Sequence, residues 1–67
     1  MTPEEIRAAR ERLGLSQGRI AHRLGVDRGT WHRWERGRQA IRYPRILGLA
    51  LRALALEMVV ERGESAR

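Results

Sequence analysis

Three times within the first 37 residues a small polar residue is followed by a helix-spaced stretch and then a glycine: Thr2 and Gly14, Ser16 and Gly25, Asp27 and Gly37. Ser, Thr and Asp side chains accept the orphan amides of a helix start, and glycine takes the left-handed conformation that ends one. The chain is therefore punctuated into short helices. In the first of them Pro3 suits the opening helical position, and Glu5 completes a capping box with Thr2.

Each segment carries a stripe at helical spacing. Ile6, Ala9, Arg10 and Leu13 follow i, i+3, i+4, i+7 on the first helix. On the second, Ile20, Ala21 and Leu24 face inward while Gln17, Arg19, His22 and Arg23 face outward, and Val26 packs in the turn that follows. Trp31, Trp34 and Glu35 share the inward side of the third. Two charges, Arg10 and Glu35, thus stand on stripes that burial reserves for apolar groups. A lone buried charge is costly, so the two are expected to pair, and removing either one strands its partner at about 3 to 5 kcal/mol. The same spacing makes Trp31 and Trp34 core residues rather than stacking platforms for single-stranded nucleic acid.

After Gly37 the periodicity lapses, so residues 38–43 read as a surface loop, and Pro44 opens a last helix that runs to about Arg62. That helix is apolar nearly all round. Leu47, Leu51, Leu54 and Met58 lie on one stripe, and Ile46, Leu49, Ala50, Ala53, Leu56 and Val60 on others. A helix of this kind needs two burial partners. One is its own bundle; the other, most simply, is the same helix of a second copy, in a symmetric dimer whose surface is expected at Leu47, Leu51, Leu54 and Met58. The alternative is a helix that breaks near Gly48 or Leu56 and folds entirely onto its own domain. A chain of 67 residues with no cysteine fits one small domain, expected over 1–62, for which dimerisation supplies stability that disulfides cannot. Residues 63–67 should fray.

Against eight acidic residues stand 14 basic ones, all arginine, giving a net charge of +6 and making a polyanion the natural partner. The amino terminus lacks the cationic start and apolar core of a signal peptide, and the apolar stretch 46–60 is interrupted by Gly48, Arg52 and Glu57. No membrane partner is expected, and the location should be cytoplasmic. His22 and His32 lack a third ligand at metal spacing, and neither Ser16 at its cap nor Ser65 near the end belongs to a nucleophile arrangement. The reading is of a protein that is not an enzyme, with no cofactor, no metal and no catalytic residue.

The segments GLSQ at 14–17, IAHRLGV at 20–26 and TWHRWERG at 30–37 resemble the Cro/C1-type helix-turn-helix family of phage and bacterial repressors. The resemblance implies an all-α, lambda-repressor-like bundle of four or five helices, with the helix-turn-helix at 16–37 and a C-terminal dimerisation helix at about 44–62. It also implies roles. Gln17 touches a phosphate and the second helix lies across the backbone; Arg28, Gly29, Thr30 and Arg33 face base edges with His32 beside them; Arg36, Arg38 and Arg42 grip the second phosphate backbone. A charged pair matching Arg10 and Glu35 is frequent in the family, in agreement with the stripes.

Two departures sharpen these expectations. Gly29 stands where relatives often carry a polar base reader, so reading falls to Arg28 and Arg33, whose forks match guanine O6 and N7 at about 1 to 3 kcal/mol of discrimination each. Arg19 stands where the family often has Glu; a cation there opposes the helix dipole, which favours a phosphate contact beside Gln17. The function expected is a sequence-specific repressor that binds a palindromic double-stranded DNA operator as a homodimer and regulates its own operon. No effector domain is expected in a chain of this length, which resembles in this the small phage regulators, those of anti-CRISPR operons included. Two other readings are an antitoxin, which would bind a toxin partner through the last helix or tail, and a protein-interaction module without DNA binding.

Overall fold

A computed structural model describes residues 1–63 and places four helices in them: α1 Pro3–Leu13, α2 Gln17–Leu24, α3 Arg28–Glu35 and α4 Pro44–Glu61. There is no fifth helix among the described residues. Each start is built as the cap residues dictate. Thr2 Oγ1 accepts from the Glu5 amide at 3.1 Å while Glu5 Oε1 accepts from the Thr2 amide at 2.8 Å, closing the capping box. Ser16 Oγ accepts from the Arg19 amide at 3.1 Å, and Asp27 Oδ2 from the Thr30 amide at 3.3 Å. The turn between α2 and α3 depends on Gly25 at φ +73°, a left-handed conformation that side chains with a Cβ disfavour. Its amide and that of Val26 return to the His22 and Ala21 carbonyls at 3.2 and 2.9 Å, so the α2 end is satisfied before α3 begins.

The core gathers one side of every helix. Ile6 of α1, Ile20 and Ala21 of α2 and Trp31 of α3 are fully buried, and α4 adds Leu47, Leu51, Leu54 and Met58. Trp31 and Trp34 meet edge to face with centroids 5.7 Å apart; Trp31 is completely enclosed, while Trp34 is half-buried at the margin. Both tryptophans are thus structural, as their spacing predicts.

The role of α4 differs from the expectation. Leu47, Leu51, Leu54 and Met58, assigned from sequence to a dimer surface, are the α4 share of the domain's own core. The physical reason is that α1, α2 and α3 leave Ile6, Ile20 and Trp31 uncovered on one side. A single continuous stripe with i, i+4, i+7, i+11 spacing closes that side completely. The helix does not break at Gly48 or Leu56. Its C-terminal half is further held by Arg23 of α2, whose Nη2 lies 2.9 Å from Glu61 Oε2 and 3.7 Å from Glu57 Oε1. The apolar surplus remains on the other face: Ile46, Leu49, Leu56 and Val60 are each more than half exposed, and Ala53 between them is exposed as well. No helix among the described residues is long and apolar enough to cross a membrane. The fraying expected at 64–67 lies outside the described residues.

Candidate nucleic-acid interface

What fixes α3 in place is one carboxylate. Glu35, only 3% exposed, receives Arg10 through both Nε, at 2.6 Å to Oε2, and Nη2, at 3.2 Å to Oε1. The expected ion pair is therefore present, as a two-pronged fork. It is also larger than expected. Trp31 Nε1 donates to Oε2, Gln17 Nε2 donates to Oε1 at 3.1 Å, and Arg7 Nε approaches Oε1 at 3.7 Å. Groups from α1, α2 and α3 thus converge on a single acceptor, and Arg10 Nη1 in addition holds the Leu15 carbonyl at 3.0 Å.

Burial on its own raises the Glu35 carboxyl, but hydrogen bonds from Arg10, Gln17 and Trp31, with the attraction of the Arg10 charge, outweigh it and hold the group below its ordinary 4.5. The hydrogen bond to Glu35 pushes Arg10 up in turn, against the opposing effect of burial. Because the folded carboxyl releases its proton at lower pH than the unfolded one, protonation favours unfolding. Its contribution is complete above about pH 5 and is lost as pH falls through the ordinary value toward the folded one. Thermal unfolding followed by circular dichroism should show this decline on acidification, and a Glu35→Gln variant, less stable throughout, should lack that component.

With Trp31 and Glu35 anchored inward, the opposite side of α3 is presented to solvent. Arg28, His32 and Arg33 are exposed and Thr30 is half-exposed. Arg28 lies across the start of α2, where a Cβ on Gly18 would touch its Cδ at 3.7 Å. Arg33 folds toward the start of its own helix: Nη2 donates to Thr30 Oγ1 at 3.2 Å, and Nη1 sits 3.3 Å from where a Cβ on Gly29 would be. Gly29, expected to contribute closeness to DNA, thus also makes space for a neighbouring guanidinium.

Of the residues expected at phosphates, Arg19, Arg36, Arg38 and Arg42 are all exposed, the first beside the α2 start and the rest around the end of α3 and its loop. Arg42 lies 5.7 Å from the centroid of the Tyr43 ring. Gln17 is a different matter, because its side chain is engaged at both ends. A carboxylate only accepts, so the Gln17 amide must turn Nε2 to Glu35 and Oε1 to His32, whose Nδ1 at 3.3 Å then donates. The donors that Gln17 keeps for a phosphate are the second hydrogen of Nε2 and its backbone amide in the first turn of α2, where the helix dipole favours an anion.

The geometry is that of two helices joined by a three-residue turn, the second aimed outward with cations at both flanks. The sequence description of a helix-turn-helix domain matches residues 4–64, nearly the whole chain. The chain belongs to the helix-turn-helix domain family. Comparison with characterised proteins and with solved structures returns no significant match. As a helix-turn-helix domain, it carries the DNA-binding module of regulators, with α2 and α3 as its two helices.

In this helix-turn-helix domain, sequence reasoning missed three contacts. It gives Gln17 a phosphate and not its bond to Glu35, because a polar residue at a helix start gives no sign of a buried acceptor 18 positions away. Arg23 reads only as an outward charge until α4 is docked against it. Gln39, which takes the Arg33 Nε proton at 2.7 Å, lies in a loop without periodicity and carries no local signal at all.

Proposed function

We propose that this chain is a sequence-specific transcriptional repressor that binds a palindromic operator as a homodimer, lays α3 in the major groove of each half-site, and controls its own operon in the cytoplasm. The observation that supports this best is the two-sidedness of α3, with Trp31 and Glu35 locked inward and Arg28, His32 and Arg33 exposed on the other side. A helix anchored in that way holds its outer guanidinium groups at fixed spacing, as base reading requires. Gln17, Arg19, Arg36, Arg38 and Arg42 then position the domain on the phosphates without reading sequence. Selection of bound duplexes from a random pool tests the reading. Inverted repeats with a preferred guanine opposite Arg28 or Arg33 are expected; half-sites without a preferred guanine overturn it.

The second copy is assigned to the face of α4 that its own domain leaves open. Ile46, Leu49, Ala53, Leu56 and Val60 alternate steps of three and four residues, the spacing of a seam between two helices, over about 21 Å of helix. Arg45 and Arg52 flank the seam on one side and Glu57 on the other. Leu56→Glu should therefore give a monomer by sedimentation velocity, with helix content unchanged because the side chain is 65% exposed, and should weaken operator binding. A variant that stays dimeric would relocate the interface.

A further inference from the structure

Arg33 is not a free arginine on a surface. Besides Thr30 Oγ1, it donates through Nε to Gln39 Oε1 at 2.7 Å, so a residue of the loop after α3 holds one edge of its guanidinium. The loop reaches that position because α3 ends in a reversal. Gly37 adopts φ +70°, the Gly37 amide returns to the Trp34 carbonyl at 3.2 Å and the Arg38 amide to the Arg33 carbonyl at 2.9 Å, which brings the next residue back alongside Arg33. A guanidinium has five N–H donors. Two are taken by Thr30 and Gln39, and the three that remain are on Nη1 and Nη2, the pair that can form a fork to a guanine edge.

We propose that Gln39 is a specificity-determining positioning residue, which together with Thr30 holds the Arg33 guanidinium over Gly29 in the orientation that reads a guanine. The proposal rests on Arg33 being a base reader. A long exposed side chain loses rotamer freedom when it orders at an interface, and a side chain already ordered in the free protein loses less. Gln39 thus acts through Arg33 on discrimination between bases, and needs no contact with DNA itself.

The test measures fluorescence anisotropy of a selected operator duplex and of one in which the guanine read by Arg33 is changed to adenine, its pair included. Arg33→Ala identifies that position by abolishing the preference between the two duplexes. Gln39→Ala is expected to reduce the preference about 3- to 10-fold, with the thermal midpoint and the salt slope unchanged. Gln39→Glu, which keeps the acceptor, is expected to retain the preference while lowering affinity for both duplexes by repulsion from phosphate. If Arg33→Ala leaves the preference intact, the base-reading role fails and the proposal falls with it. If Arg33→Ala abolishes the preference but Gln39→Ala leaves it intact or enhances it, the positioning role alone is overturned.

Discussion

Replacing Glu35 with alanine is expected to leave the purified chain largely unfolded at room temperature. The substitution removes the acceptor shared by Arg10, Trp31 Nε1 and Gln17 Nε2, at a position where Glu35 and Trp31 are themselves buried. Breaking a buried pair by deleting one partner costs about 3 to 5 kcal/mol. A domain of this length has about 3 to 10 kcal/mol of stability in total, so the loss is of the same size as the whole. Arg10→Ala should be milder, because Arg10 retains 17% side-chain exposure and Glu35 would keep its bonds from Trp31 and Gln17. Replacing both charges by apolar residues should not recover the parent stability. Trp31 Nε1 and Gln17 Nε2 would still need an acceptor, at about 1 to 3 kcal/mol for each donor left without one. Urea titrations followed by circular dichroism check the order: parent, then Arg10→Ala, then Glu35→Ala. A Glu35→Ala protein as stable as the parent would mean that the carboxylate is not what ties the helices together.

The second large effect is on affinity. If a dimer neutralises roughly six to ten phosphates, the logarithm of its association constant falls with log salt at about −0.9 for each of them, and affinity drops about 10³- to 10⁵-fold between roughly 50 and 200 mM salt. The exposed Arg19, Arg36, Arg38 and Arg42 are the groups expected to carry this dependence. Arg36→Ala should therefore reduce the slope by about 2 per dimer, one phosphate in each half-site, and should weaken binding to all duplexes alike. Anisotropy titrations across that salt range are the check. A flat response would remove these arginines from the interface.

The helices were legible in the sequence because their determinants are local. Thr2, Ser16 and Asp27 each accept an amide three residues on, and Gly14, Gly25 and Gly37 all have positive φ. The Arg10–Glu35 pair was legible for a different reason: two charges on two buried stripes leave each other as the obvious partners. The orientation of α4 was not legible. Its two apolar stripes both alternate steps of three and four residues, and they lie roughly 150° apart around the helix, so periodicity marks both without ranking them. Only the open side left by Ile6, Ile20 and Trp31 decides that Leu47, Leu51, Leu54 and Met58 turn inward. Contacts between distant polar residues were hidden in the same way. Nothing near Gln17 points to Glu35, and nothing near Gln39 points to Arg33.

The convergence on Glu35 has a consequence for motion. Since α1, α2 and α3 share that one acceptor, α3 has no private route by which to come loose: releasing it means giving up the grip of Arg10 and Gln17 as well. Although one side of α3 faces solvent along its length, the amide protons in its interior should exchange with deuterium only when the whole domain opens, at the rate set by global unfolding rather than by local breathing. The surface offered to a partner is then either fully formed or absent, with no half-ordered version between.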